Sequence, residues 1–202
     1  VQRFRIVINT PGGHSWGNFG QPSAIHELGK LIAEISKLRV PTRPKTTFNI
    51  GVIEGGTTVN SIASSASLLL DLRSEQSAIL DNLVLKAKNL VDARRMMATR
   101  RNKNVVYHME QVGYRPAGQI AHDHPLVNLA EDSLKQVGCH HVTNTIGSTD
   151  ANIPLSQNIP CVCVGLATSG NSHRLDEYID LKHLQSGMKQ LLLLTLAASE
   201  YC

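Results

Sequence analysis

The chain has 202 residues, of which 42% are apolar, 18% are charged and 4% are aromatic, and its formal net charge is +4. A chain of this length can bury a substantial core in one or two domains, and its apolar content excludes an intrinsically disordered polymer. The longest strongly apolar run, residues 191–196, is far shorter than the roughly 20 residues of a membrane span, so we expect no membrane partner.

Two features of the sequence bear on location. No basic segment followed by an apolar stretch opens the chain, so we expect no signal peptide, and Val1 in place of Met indicates that something upstream was removed or left out. The cysteines lack paired C-x-x-C spacing, and Cys161 and Cys163 alternate within an apolar run like small core residues. These observations predict a reduced, cytoplasmic protein.

Strand and helix patterns follow one another through the first half. Apolar residues alternate in the strand-like segments and recur at three- and four-residue spacing in the helix-like ones. In chain order we predict a strand at 3–9, a helix at 22–38, strands at 48–52 and 66–72, a helix at 74–97 and a strand at 104–112. This order is typical of a ferredoxin-like sandwich, which is a four-stranded antiparallel sheet with two helices on one face. We therefore predict an α+β ferredoxin-like domain over residues 1–115.

The second half has a different pattern, which begins after a turn-rich linker at 113–118. We predict a helix that starts at Pro125, a short helix at 150–157, a strand of the parallel-sheet type at 161–166 and a last helix at 181–198. One strand with three helices cannot form the sheet that this apolar strand requires. Residues 116–202 are therefore expected to form a partial α/β domain.

His14 is the first residue with a candidate chemical role. It lies in Pro11-Gly-Gly-His-Ser, directly after the first predicted strand. Glycines let the backbone approach another surface closely, and an imidazole there can donate to a developing oxyanion. An ordinary turn contains the same residue types, so the pattern alone leaves both interpretations open.

Two polar segments of the second half also have a functional and a structural interpretation. Gly147, Ser148 and Thr149 precede the short helix, where such groups either bind a carboxylate or phosphate or simply cap the helix. His173 lies in a polar loop after the predicted strand at 161–166, which is where ligands gather in α/β sheets. Imidazole is a common metal ligand, but a lone histidine is weak evidence for a metal.

Two further candidates lie in the predicted ferredoxin-like domain. Asn60 follows the Gly55-Gly56 pair, and Arg73 ends the segment Leu70-Asp-Leu-Arg. Arginine suits bidentate recognition of a carboxylate, although an exposed arginine at a strand end is usually only solvated.

Basic residues cluster on the second predicted helix, which raises the alternative of RNA binding. The cluster consists of Lys86, Lys88, Arg94, Arg95, Arg100, Arg101 and Lys103. RNA recognition on a ferredoxin-like sheet needs exposed aromatic rings that stack on bases, and the predicted strands offer Phe4, Phe48 and Tyr107 without the RNA-binding signature. We therefore expect a solvated helix face and no nucleic-acid partner.

Six short motifs, taken in order, resemble a known family. They are Pro-Gly-Gly-His-Ser (11–15), Glu-Gly-Gly (54–56) with Asn60, Leu-Asp-Leu-Arg (70–73), Arg-Pro-Ala-Gly (115–118), Gly-Ser-Thr-Asp-Ala (147–151) and the His173 loop. The sequence is similar to the two-zinc metallopeptidases and amidohydrolases that include acetylornithine deacetylase, succinyl-diaminopimelate desuccinylase, aminoacylase and glutamate carboxypeptidase. In that family a ferredoxin-like lid that pairs two subunits interrupts a catalytic α/β domain.

The resemblance implies roles for the candidate residues of the lid. His14 matches the histidine that crosses the dimer to stabilise the tetrahedral oxyanion. Asn60 and Arg73 match positions that contact the substrate or its carboxylate. Residues 1–115 would thus form the lid of a homodimer.

The same resemblance implies roles for the second half. Gly147, Ser148 and Thr149 match the loop that holds the substrate carboxylate, and His173 matches the metal ligand that the C-terminal side supplies. The expected cofactor of the complete enzyme is zinc, and the expected substrate is a peptide or an N-acyl amino acid. Residues 116–202 would thus form the C-terminal portion of the catalytic domain.

The sequence departs from the family at the metal centre. The family's other metal ligands and its general-base glutamate precede the lid, and the thirteen residues before His14 include no acidic residue and no histidine. A catalytic zinc needs about three protein ligands, so His173 alone cannot hold it or activate water. We therefore expect a fragment of the hydrolase that is inactive by itself. The alternative is a non-catalytic dimerisation or regulatory module derived from the same family.

Overall fold

The computed structural model describes residues 1–101 and 104–200, so Lys103 of the basic cluster and the fourth cysteine, Cys202, lie outside the described residues. The chain divides into two compact units, the first spanning Val1–Pro116 and the second beginning at Ala117. No helix in either described range has the length and the apolar content to cross a bilayer.

The first unit is a four-stranded antiparallel sheet with two helices. Its strands and helices are β1 (Gln2–Asn9), β2 (Gly13–His14), α1 (Ala24–Ile35), β3 (Thr46–Gly55), β4 (Ser61–Ile62), β5 (Ser65–Ser74), α2 (Ser77–Arg101) and β6 (Val106–Tyr114). The main sheet has the order β3-β5-β1-β6, and each neighbouring pair is antiparallel. This topology confirms the predicted ferredoxin-like fold.

Strict alternation of apolar residues explains why β1 and β5 form the centre of the sheet. Ile6 of β1 lies opposite Leu68 of β5, and both side chains are buried beneath the helices. Leu28 and Leu31 lie one turn apart on the buried face of α1, where the three- and four-residue spacing placed them. The helices therefore cover one face of the sheet and leave the other open.

The edge strand β3 departs from the predicted pattern. The sequence places Phe48, Ile50 and Val52 on one face, but the register with β5 shifts between Ile50 and Val52. Gly51 is the inserted residue, and glycine in a strand commonly marks such a bulge. Val52 consequently emerges on the exposed side, with 42% of its surface accessible.

The short strands β2 and β4 form a separate ladder at one end of the main sheet. Gly13 pairs with Ile62, and His14 pairs with Ser61. Beyond this ladder the chain turns through residues 15–20 and enters α1. The ladder therefore fixes the backbone of His14 away from the main sheet.

The second unit consists of helices with one short hairpin. Its elements are α3 (Pro125–Gln136), α4 (Asn152–Ser156), β7 (Thr168–Gly170), β8 (Tyr178–Asp180), a 3-10 turn (Leu181–His183) and α5 (Leu184–Ser199). His124 caps α3, since its Nδ1 accepts the Leu126 N–H at 3.1 Å. Helices α3 and α5 pack together, and the fully buried Gln190 donates to the Ser133 hydroxyl at 3.1 Å.

The strand predicted at 161–166 does not form, and that prediction was wrong for the described residues. This segment is irregular, with Cys161 half-buried and Cys163 exposed, so neither cysteine is a core residue. A buried parallel strand needs neighbours on both sides, and the described part of the second unit offers none at this segment. The second unit is accordingly a partial domain.

Candidate functional site

His14 and Asn60 come together at the β2–β4 ladder. The Ser15 N–H donates to the Asn60 carbonyl oxygen at 3.0 Å, which extends the ladder by one bond beyond His14. Both residues are exposed to solvent. Two of the predicted site residues of the first unit are therefore neighbours on one loop cluster.

The imidazole of His14 has a defined hydrogen-bonding state. Its Nδ1 accepts the backbone N–H groups of Trp16 and Gly17, each at 3.2 Å. An imidazole nitrogen that accepts two N–H groups carries no proton, so the neutral ring is protonated at Nε2. Nε2 has no hydrogen-bond partner among residues 1–101 and 104–200. The ring is thus a donor that faces outward.

Glycines allow the close turns around His14. Gly12 has a φ of +73°, and a Cβ there would lie 3.1 Å from the Ser64 Cβ. Gly13 has a φ of +146°, and its Cβ would lie 3.0 Å from the Asn18 side chain. Any larger residue would be strained at either position, which explains the Pro-Gly-Gly-His segment.

An open groove of about 450 Å³ adjoins the ladder. Its walls include Gly12 and Gly13 on one side and the end of β3 on the other, and it is mostly polar. Arg5 and Glu54 provide one charge of each sign. The groove therefore offers space for an extended polar ligand along Gly12 and Gly13, although His14 itself does not line it.

Arg73 lies at the other end of β5, about 26 Å along the strand from Ser65 at the ladder. Its Nε donates to Asp71 Oδ2, and Asp71 Oδ1 accepts from Arg3 Nε at 2.7 Å. Burial opposes ionisation of Asp71, but the hydrogen bonds from Arg73 and Arg3 outweigh it and lower the pKa of this carboxyl. Within one chain, Arg73 is therefore not gathered with His14 and Asn60.

The segment of Gly147, Ser148 and Thr149 takes part in the start of α4. The Thr149 N–H donates to Asn152 Oδ1 at 2.8 Å, and the Thr149 hydroxyl accepts the Ala151 N–H at 3.3 Å. These bonds close a turn ahead of α4, whose N-cap residue is Ala151 and has no side-chain capping hydrogen bond, so the structure does not show the cap that the residue types suggested. A carboxylate that took the Thr149 N–H would have to displace the Asn152 side chain.

His173 lies in the exposed loop between β7 and β8. Its φ is +65°, and its N–H donates to Glu177 Oε2 at 3.2 Å. The neighbouring Asp176 is bonded to Arg174 at 2.9 Å. In the described ranges no three His, Cys, Asp or Glu side chains are placed to hold a metal ion. The described residues therefore do not by themselves fit a zinc ion.

Sequence reasoning missed two residues beside the predicted ones. Asn18 bonds to the backbone of His14, and Asp71 joins Arg3 to Arg73. An asparagine four residues after the histidine in a glycine-rich loop is a recognisable turn signal. Asp71 alternates with Arg73 on one face of β5, which is a period-two signal that the sequence contains.

Residues 2–95 match the family model described as a peptidase dimerisation domain. Over these residues the first unit is identified as a match to a peptidase dimerisation domain. The match runs from β1 through most of α2 and includes the whole β2–β4 ladder. It supports the lid that the three motifs within these residues, at 11–15, 54–56 with Asn60 and 70–73, had indicated.

Solved structures share the fold across both units. Aminopeptidase PepT from Bacillus cereus has 21% identity and a TM-score of 0.67. The match covers 96% of this chain and 50% of the PepT chain. The aminobenzoyl-glutamate utilization protein of Klebsiella pneumoniae has 17% identity and a TM-score of 0.65, with 97% of this chain covering 48%. An amidase of the hydantoinase/carbamoylase family from Burkholderia vietnamiensis has 17% identity and a TM-score of 0.69, with 97% covering 47%.

These comparisons also show what share of each solved structure the chain covers. The chain spans about half the length of the solved structures that it matches. A comparison of the sequence with curated proteins gives no match. At these identities the solved structures establish the fold of the two units, and the match to the peptidase dimerisation domain covers residues 2–95.

Proposed function

We propose that the chain is the dimerisation lid and the C-terminal catalytic portion of a zinc-dependent metallopeptidase or amidohydrolase. The complete enzyme hydrolyses a peptide or N-acyl amide bond next to a free carboxylate. The observation that carries this proposal is His14, whose Nε2–H faces outward from a peptidase dimerisation domain. By itself the chain is inactive.

His14 acts on the carbonyl group of the substrate that is bound in the active site of the partner subunit. Attack on an amide carbon moves negative charge onto the carbonyl oxygen, and a fixed N–H donor stabilises that charge when water is excluded. The neutral ring already presents its proton at Nε2, so it needs no reorganisation to donate. Asn60 lies beside it and contacts the same substrate.

Arg73 contacts the substrate or its free carboxylate. The segment of Gly147, Ser148 and Thr149 in the second unit is proposed separately as a loop that holds the substrate carboxylate. Arg73 directs its Nε and, at 3.5 Å, one terminal nitrogen to Asp71, and a guanidinium has five N–H donors, so others remain for a ligand. Asp71 in turn orients the guanidinium, because its carboxylate is itself held by Arg3.

The zinc ions belong to the complete enzyme. His173 is the residue of this chain proposed as a ligand, and the remaining ligands come from sequence outside it. Two features support such a completion. The segment 161–166 has no strand neighbour in the described ranges, and α5 exposes Leu192 and Leu196 at 61% and 58% of their surfaces.

The lid pairs two copies of the chain, and we propose a cytoplasmic location. Self-association follows from the dimerisation domain itself, and it is what lets His14 act in trans. Cys139, Cys161 and Cys163 are free thiols, which suits a reducing compartment.

Hydrolysis assays with zinc test the proposal. The assays use N-acyl amino acids and short peptides as substrates. They compare the 202-residue chain with a longer polypeptide, which also contains the residues encoded directly upstream. We expect activity only from the longer polypeptide, and a large loss in kcat, about 10²-fold or more, in its His14→Ala variant. His26→Ala, an exposed histidine of α1, is the matched control. Full activity from the 202-residue chain would contradict the proposal.

Sedimentation tests the pairing independently of catalysis. We expect a dimer for the 202-residue chain at micromolar concentration, because residues 2–95 match a peptidase dimerisation domain. A strict monomer over a wide concentration range would contradict the homodimer and the role of His14 in trans.

A further inference from the structure

We propose that Asn18 is a positioning residue for His14, and that the turn of residues 14–18 holds the imidazole as the Nε2–H tautomer. The value of this tautomer for hydrolysis rests on the function proposed above. The geometry of the turn does not depend on that function.

Asn18 and His14 are joined by two reciprocal hydrogen bonds. The His14 N–H donates to Asn18 Oδ1 at 2.9 Å, and the Asn18 N–H donates to the His14 carbonyl oxygen at 2.9 Å. Both bonds close the same turn, so Asn18 fixes the backbone from which the imidazole projects. The side-chain amide of Asn18 acts only as an acceptor in this contact, through Oδ1.

The closed turn brings two amide N–H groups under the ring. Trp16 and Gly17 lie two and three residues after His14, and both N–H groups donate to Nδ1 at 3.2 Å. A proton on Nδ1 would face these two donors, whereas a proton on Nε2 faces the open side. The turn therefore selects the Nε2–H form of the neutral ring.

Gly13 shows that the Asn18 side chain is tightly placed. A Cβ at Gly13 would lie 3.0 Å from both Cβ and Oδ1 of Asn18. Because the position also has a positive φ, an alanine would strain the backbone and push the amide away. Gly13→Ala is thus a second way to disturb the Asn18 contact without changing Asn18 itself.

The tautomer is measured directly on the full 202-residue chain by ¹⁵N NMR of the imidazole nitrogens. In the unmodified chain above the titration range of histidine, we expect His14 to be mainly Nε2–H. In Asn18→Ala, where the side-chain Oδ1 that accepts the His14 N–H is lost, we expect the Nδ1–H form to rise at least several-fold. Asn18→Asp keeps an acceptor oxygen at the same place and should restore the original state. Asn82→Ala, at an exposed position of α2, is the matched control.

Gly13→Ala keeps the test decisive if Asn18→Ala fails to fold, and we expect the same rise in Nδ1–H. Amide hydrogen exchange of β1 and β5 reports whether each variant keeps its core. A His14 that is mainly Nδ1–H in the unmodified chain would overturn the proposal. So would an unchanged tautomer in the folded Asn18→Ala or Gly13→Ala variant.

Kinetics of the longer polypeptide separate this inference from the proposed function. If both are correct, Asn18→Ala lowers kcat about tenfold with little change in KM, and Asn18→Asp restores it. If the NMR result stands but kcat does not change, the positioning is real and the oxyanion role of His14 is wrong. If the NMR result fails, the positioning role is wrong whatever the activity.

Discussion

The phenol of Tyr107 donates a hydrogen bond of 3.0 Å to Oε2 of Glu27, and both side chains are buried. The same carboxylate oxygen accepts from Arg94 at 2.9 Å, and Oε1 accepts from Lys30 at 2.6 Å. Glu27 belongs to α1, Arg94 to α2 and Tyr107 to β6. One buried carboxylate therefore ties both helices of the dimerisation domain to the edge of its sheet.

Glu27→Ala should strongly destabilise the dimerisation domain. Arg94 Nε is already buried without a hydrogen-bond partner in the described part of the chain, and losing the carboxylate would leave the guanidinium with only the longer contact to Glu34 at 3.5 Å. Removal of one partner of a buried pair typically costs about 3 kcal/mol or more. Urea unfolding of the 202-residue chain measures the change.

Glu34→Ala is the control for that variant. Glu34 reaches Arg94 at 3.5 Å but its side chain is one-third exposed, so the expected loss is below about 1 kcal/mol. Equal losses in the free energy of unfolding in the two variants would show that the buried network stabilises the domain no more than the exposed ion pair does.

Stability should fall in acid because of Glu27. Burial opposes its ionisation, but hydrogen bonds from Lys30, Tyr107 and Arg94 outweigh burial and lower its pKa below the ordinary value of 4.5. Its contribution is therefore complete above about pH 4.5 and is lost as the pH falls through the lower folded-state pKa. In Glu27→Gln the free energy of unfolding should be lower and should change less across this range, and unfolding curves at several pH values measure it. An unchanged slope would contradict the assignment.

Tyr107 should ionise well above the ordinary tyrosine pKa of about 10. Burial raises the pKa of its phenol, and the neighbouring Glu27 carboxylate raises it further. Stability should accordingly decline as the pH rises beyond about 10, because the unfolded chain releases this proton first. Tyr107→Phe should remove that decline, together with the tyrosinate absorbance that Tyr107 contributes at high pH, and it should cost about 1 kcal/mol at neutral pH. An equal decline in the two chains would be the contrary result.

Two glycines should respond to alanine with opposite sign. A Cβ at Gly55 would lie 2.8 Å from the Ala66 Cβ and 2.9 Å from its Cα, so Gly55→Ala should lower stability by about 1–3 kcal/mol. Gly29 lies in α1 with nothing within 4 Å of a new Cβ. Gly29→Ala should therefore raise stability by up to about 1 kcal/mol, since alanine favours a helix. Thermal unfolding compares both variants, and loss in both would refute the distinction.

Arg73 provides a test of carboxylate binding in the longer polypeptide. A charge-assisted hydrogen bond contributes about 1.5–3 kcal/mol, so Arg73→Ala should raise KM for carboxylate substrates roughly ten- to hundredfold. Arg3→Ala removes a similar charge from the same Asp71 and is the control. An equal rise in KM in the two variants would mean that the effect comes from disturbing Asp71 and not from a lost contact with the substrate.

Local periodicity was enough to predict the dimerisation domain. The alternating residues of β1 and β5 are buried on one face, because each strand has helices on one side only. The register shift at Gly51 was not predictable, since a bulge depends on the partner strand. Ser74 accepts the Gln76 N–H at 3.2 Å, as a capping residue would, but α2 begins three residues later at Ser77.

The candidate site shows a different limit. The pattern identified His14 and Asn60 as separate motifs, and only the pairing of β2 with β4 makes them neighbours. Glu27 was missed because a polar residue in an otherwise apolar helix stripe looks like a solvated position. Its burial depends on Arg94, which lies 67 residues away and supplies the opposite charge.

Helix α5 lies directly against the carbonyl of Leu166 at Gly187, where a Cβ would come within 1.8 Å of that oxygen. The segment 161–166 is thus fixed at its end by a glycine, while its amide groups have no ladder partner in the described ranges. Hydrogen exchange at Val162 and Val164 should consequently be fast in this chain. If further strands of the same protein join that segment, these two amides would become a local reporter of assembly, slowing as the new sheet forms.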